Sequence, residues 1–83
     1  MHVEKNLYTE RQKRFLTLLR ECREKAGLRQ DDVAELLKKP QSFVSKYESG
    51  ERRLDVLELL DVCEAIGLTL SAFAKKLERR VSD

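Results

Sequence analysis

Between Gln30 and Gly50 two short amphipathic segments are interrupted by Pro40, the only proline in the chain, and that interruption limits the fold more than any other feature. Proline has no backbone N–H and its ring collides with the preceding helical turn, yet its fixed φ suits a helix entrance. Pro40 therefore ends a helix running from about Gln30 to Leu37 and starts another from about Gln41 to Ser49. Gly50 stops the second helix, because glycine enters the left-handed conformation of a helix C-terminus without a Cβ penalty. Along that second helix Val44 and Tyr47 fall on one side, whereas Gln41, Ser42, Ser45 and Lys46 fall on the other.

The remainder of the sequence reads as three more helices, with no convincing strand. Thr9-x-x-Gln12 fits a capping box, in which the threonine oxygen accepts a free amide and Gln12 reaches back, so the first helix is expected to begin at Thr9. Phe15, Leu18, Leu19, Cys22 and Ala26 recur at helical spacing as one buried stripe that Gly27 closes. In the helix from Gln30, Val33, Ala34, Leu36 and Leu37 are available inward, and Asp31 and Asp32 lie where the helix dipole favours acids. The stretch from Asp55 to Ile66 is the most apolar. Val56, Leu57, Leu59, Leu60, Val62, Cys63 and Ile66 suggest that it is buried on more than one side, and Gly67 ends it. The last helix begins near Thr69 or Ser71, carries Leu70, Phe73, Ala74 and Leu77, and is expected to fray through Arg79, Arg80 and Val81. With 83 residues there is room for one domain with one small core. The expected division is a flexible segment at 1–8, the domain at 9–78 and a C-terminal tail at 79–83.

Composition removes several classes of function. Hydrophobic residues at 41% and charged residues at 39% suit helices with one buried and one solvated face, not a disordered chain. No apolar run approaches the roughly 20 residues of a membrane span, and the start Met-His-Val-Glu-Lys-Asn has no signal-peptide stretch, so a cytoplasmic protein is expected. Cys22 and Cys63 both fall on apolar helix faces with a spacing that matches no metal pattern, and read as reduced core residues. There is no paired nucleophile and base and no phosphate-cradling glycine loop, and the one histidine, His2, lies at the N-terminus. No enzyme activity, metal or cofactor is expected.

The net charge of +2 decides little, but its distribution is uneven. From Lys38 to Arg53 five basic residues (Lys38, Lys39, Lys46, Arg52, Arg53) stand against Glu48 and Glu51; then Asp55, Glu58, Asp61 and Glu64 follow with no base until Lys75. A protein that touches a polyanion on one surface and repels it on another has this layout, since phosphate contact is electrostatic and local. Ordinary solvated helix faces also produce it.

Two short helices with a tight connection and a polar outer face on the second form the layout of a DNA-reading helix-turn-helix. The stretch from Gly27-Leu28-Arg29-Gln30 to Tyr47-Glu48-Ser49-Gly50-Glu51-Arg52-Arg53-Leu54-Asp55 resembles the phage-repressor-like family (Cro and repressor, or Xre-type), and the match extends over roughly Phe15 to Phe73. Ala34 where the two helices touch, Val33 and Leu37 in the core, Val44 and Tyr47 inside the second helix and the Glu-x-Gly-x-Arg ending all agree. The resemblance implies an all-α, five-helix lambda-repressor-like DNA-binding domain, and a transcriptional regulator, a repressor rather than an activator, that binds double-stranded DNA at a palindromic operator as a homodimer.

The resemblance also implies residue roles. Gln41, Ser42, Ser45 and Lys46 would read base edges, Gln41 pairing with adenine and Lys46 donating to guanine. Gln30, Arg23, Ser49, Arg52 and Arg53 would meet phosphates. Arg23 and Glu48 match an ion pair that orients the recognition helix, and Leu70, Phe73 and Leu77 match a dimer surface that core burial explains nearly as well. Phe43 fits either core packing or contact with a thymine methyl, and Lys75, Lys76, Arg79 and Arg80 either a second phosphate patch or a solvated face. The chain departs from the family at Lys38, where a glycine is usual, and at Arg29, where serine or threonine usually caps the helix. Lys38 in the left-handed region would cost on the order of 1 kcal/mol, and an acid of the first turn would have to replace the missing cap. An antitoxin-like module whose main partner is a protein, a toxin or another regulator, is the competing reading.

Overall fold

A computed structural model describes the backbone of residues 2–82 and the side chains of residues 9–82. Five helices follow in order: α1 (His2–Lys25), α2 (Gln30–Leu37), α3 (Gln41–Ser49), α4 (Val56–Ala65) and α5 (Leu70–Val81). No strand occurs among the described residues. Each helix contributes to a single core: Leu18 and Leu19 from α1, Val33 and Ala34 from α2, Val44 and Tyr47 from α3, Val62 and Cys63 from α4 with Ile66 just beyond it, and Phe73 from α5. Cys22 is half-buried and Cys63 buried, both as free thiols.

The ends of α2 and α3 follow from local chemistry. Arg29 cannot cap α2 with a side-chain acceptor, and Asp32 compensates: its carboxylate accepts the Arg29 backbone N–H at 2.8 Å. Lys38 closes α2 in the left-handed region at φ 57°. Its N–H donates to the Glu35 carbonyl and that of Lys39 to the Ala34 carbonyl at 2.9 Å, so the helix end is satisfied although no glycine is present. Pro40 stands at the entrance of α3 and Gly50 ends it at φ 87°. A Cβ on Gly50 would also lie 3.2 Å from Leu16, so crowding by α1 adds to the backbone requirement.

Four expectations are corrected. Helix α1 begins at His2, so Thr9 lies inside it instead of capping it. No proline or glycine interrupts the chain before Gly27, and the Thr9-x-x-Gln12 pattern is compatible with a helix interior. The side chains of the segment expected to be flexible at 1–8 lie outside the described residues. Helix α4 is buried on one side only: Val56 and Leu57 are 64% and 68% exposed, because α5 and α2 cover just its later turns, around Val62 and Cys63. Helix α5 continues to Val81 without fraying at Arg79, and Arg80 is tied to α1 through Glu21 at 2.9 Å. Phe73 is 0% exposed and meets Phe15 edge-on at 6.0 Å, so it belongs to the core and offers no surface to a partner. Burying a phenylalanine contributes about 1.5–3 kcal/mol, which explains its place between α1 and α5.

Candidate nucleic-acid interface

Helix α3 turns Val44 and Tyr47 into the core and leaves Gln41, Ser42, Lys46 and Ser49 exposed, with Ser45 half-buried beside them. The four positions expected to read bases are thus brought to one face. The Ser45 hydroxyl donates to the Ser42 carbonyl at 3.3 Å and the Ser49 hydroxyl to the Lys46 carbonyl at 3.1 Å. Both serines lie close against their own helix and add little bulk to that face. Burial raises the Tyr47 phenol far above its usual value, so the ring sits under α3 as a neutral packing group.

A hydrogen-bonded chain of four side chains runs beneath this face. The Arg23 guanidinium grips Glu48 with two bonds, Nε to Oε2 at 2.7 Å and Nη2 to Oε1 at 3.0 Å, while Nη1 donates to the Leu28 carbonyl at 2.9 Å. Glu48 also accepts the Gln30 amide at 2.9 Å, and the Gln30 carbonyl accepts the Gln41 amide at 3.1 Å. The order is dictated by donor and acceptor capacity. Because a carboxylate only accepts, Gln30 must turn its NH₂ toward Glu48, which leaves its oxygen to take an N–H from Gln41. Orientation is passed from α1 through α3 and α2 back to the first residue of α3. The Arg23 and Glu48 side chains are 10% and 5% exposed, so water competes little for the pair.

Of the expected phosphate group, Gln30 and Arg23 are joined in this chain, and Ser49 stands at the far end of α3. Arg23 has three of its N–H bonds engaged and only its remaining ones available to a ligand. In the loop after α3, Arg53 is exposed. Arg52 is held at Glu58 by two bonds of 3.0 and 2.7 Å, donates to the Arg53 carbonyl, and lies 4.7 Å from the Phe43 ring centroid. Phe43 is half-buried and also meets Tyr47 edge-on at 5.6 Å, so it packs against that ring.

Sequence reasoning missed Glu58, although the signal was visible. Asp55-x-x-Glu58 is itself a capping box: the Glu58 N–H donates to Asp55 at 2.7 Å, and Glu58 accepts the Asp55 N–H at 3.0 Å. The same carboxylate that caps α4 therefore anchors the loop from α3. Hydrogen bonds from Arg52 and then Asp55 lower its pKa from 4.5 to about 2.

Among the described residues no group of acidic, histidine or cysteine side chains could hold a metal ion, and no helix is long and apolar enough to cross a membrane. A family model described as helix-turn-helix matches residues 19–78. Among solved structures, the XRE-family like protein from Pseudomonas syringae pv. tomato str. DC3000 is similar over 95% of this chain and 96% of that one, with a TM-score of 0.88 and 44% sequence identity. No curated protein matches.

Proposed function

The chain belongs to the Xre-type helix-turn-helix family of DNA-binding transcription regulators, and on that premise we propose that it represses transcription as a homodimer on a palindromic operator. The domain at 9–78 inserts α3 into the major groove, N-terminal end first. The observation that carries the reading is the bonded chain from Arg23 to Gln41, which holds a glutamine amide at the leading end of an exposed helix. One N–H of Gln41 is bonded to Gln30, and its second N–H and its oxygen are the pair needed for N7 and N6 of adenine. Lys46 donates to guanine, and Ser42 and Ser45 accept or donate with little steric demand.

Gln30, at the first turn of α2, takes a phosphate oxygen where the helix dipole favours an anion. Arg53 and Ser49 hold the backbone on either side of the groove. Arg52 contributes from its paired position, and Arg23 mainly through Glu48. One helix reads few base pairs, so two copies related by a two-fold axis read half-sites about 34 Å apart. Leu70 and Leu77 on α5, with the exposed Val56 and Leu57 on α4, supply apolar surface for that contact.

Selection of bound duplexes from a random pool at about 0.15 M salt, followed by sequencing, tests this reading. It requires a two-fold symmetric motif with half-sites about one helical turn apart. Binding without enrichment that vanishes as salt rises would contradict it and favour a protein partner.

A further inference from the structure

Arg23 and Lys25 lie two positions apart on α1, and at about 100° per residue they point to nearly opposite sides of the helix. Arg23 faces α3 through Glu48. Lys25 faces a groove of about 410 Å³ between α1 and α5. Leu18 and the half-buried Cys22 make its apolar floor, and Lys25, Lys76, Arg79 and Arg80 stand around it against a single acid, Glu21. Arg80 is engaged with Glu21 at 2.9 Å. Lys25, Lys76 and Arg79 have no acidic partner among the described residues. Past Cys22 the groove continues into a hollow of about 300 Å³ walled by Ile66 and Leu68 and bordered again by Lys25 and Lys76. Three unpaired cations thus border the trough, Lys25 and Lys76 along both hollows and Arg79 at the first.

Two occupants are disfavoured by geometry and charge. Helix α3 lies on the side of α1 that carries Arg23, away from the side that carries Lys25, which disfavours a duplex on α3 as the occupant. A second copy docked here by a two-fold axis would bring the same cations face to face, and like charges repel. An occupant must offer negative charge to these cations and apolar surface to the floor, and a trough of a few hundred Å³ is the size of a small-molecule site. We infer that the groove between α1 and α5 binds a free amphipathic anion, a carboxylate or phosphate head held by Lys76 and Arg79 with a short hydrocarbon body over Leu18, Cys22 and Leu68. Since α1 carries Cys22 on this side and Arg23 on the other, occupancy would bear on the helix that positions Glu48.

The experiment is a titration of the full ¹⁵N-labelled chain with octanoate, with octanol, inorganic phosphate and phosphatidylglycerol vesicles as controls. Saturable shifts at amides around 18–25 and 76–80 are expected with octanoate, much weaker ones with octanol or phosphate, and no capture by vesicles. Replacing Lys76→Ala and Arg79→Ala together should weaken octanoate roughly tenfold, the size expected for two exposed charge contacts. Lys75→Ala, on the same helix but outside the groove, should not. Octanoate should also slow alkylation of Cys22, the less buried thiol. Absence of saturable shifts, shifts centred elsewhere, equal binding by the double variant of unchanged fold, or binding to vesicles alone would overturn the assignment. So would a loss of DNA affinity in the double variant as large as in Arg53→Ala, since the patch would then be meeting the duplex.

Discussion

The Gln41 amide donates to the Gln30 carbonyl at 3.1 Å, joining the first residue of α3 to the first residue of α2. A glutamine alone on a helix end samples several rotamers, and holding it in one before binding removes part of the ordering cost. Gln30→Ala should therefore weaken cognate binding and also blunt discrimination at the base that Gln41 reads. A double-mutant cycle between Gln30→Ala and Gln41→Ala, measured by DNA titration, should give a coupling of about 0.5–3 kcal/mol. Additive losses would mean that the bond does not matter for reading.

Glu48→Ala leaves Arg23 buried without its partner and Gln30 without its acceptor. Breaking such a pair costs about 3–5 kcal/mol, and in a domain of this size the melting temperature should fall by more than about 10 °C. Glu48→Gln, which keeps the shape and some acceptor capacity, should lose less. Thermal melts of both variants check this, and an unchanged melting temperature for Glu48→Ala would contradict a structural role for the pair.

Much of this arrangement was legible because it depends on neighbours in sequence. Pro40 and Gly50 fixed α3, helical spacing placed Val44 and Tyr47 inside, and the departure at Arg29 is answered by Asp32, an acid of the first turn as required. What escaped depends on distance in space. The packing of α1 on α5 determines that Phe73 is covered by Phe15, and nothing local distinguishes that from a dimer contact. Arg52 reads as a free loop cation until the turn before α4 brings Glu58 to it. The bond between Gln30 and Gln41 needs the crossing of α2 and α3, which no spacing rule supplies.

The Glu58 carboxyl titrates at about 2 instead of 4.5. The native state holds that proton less tightly than the unfolded chain, so the stabilisation is fully present above about pH 4.5 and is lost as pH falls toward 2. Asp32, lowered chiefly by the Arg29 N–H, acts in the same direction. Melting curves across this range should show Glu58→Gln less stable than the parent near neutrality, with the gap closing in acid. A gap that stays constant with pH would contradict the assignment.

Lys38 occupies the left-handed region at φ 57° and is exposed, so a glycine there loses no packing. The left-handed penalty of about 1–2 kcal/mol exceeds the entropy cost of glycine, about 0.5–1 kcal/mol. Lys38→Gly should raise the melting temperature by a few degrees and leave base preference unchanged. A fall in stability would place an unseen favourable contact on the lysine.

Binding of Gln41→Ala and Arg53→Ala to the selected operator and to duplexes mismatched one base pair at a time tests the central claim most directly. Base reading by α3 predicts that Gln41→Ala costs about 1–3 kcal/mol on the operator and loses preference at one position, whereas Arg53→Ala weakens all sequences alike and reduces the salt slope by about one. If Gln41→Ala weakened random DNA as much as the operator, with every base preference intact, α3 would not be reading sequence through that residue.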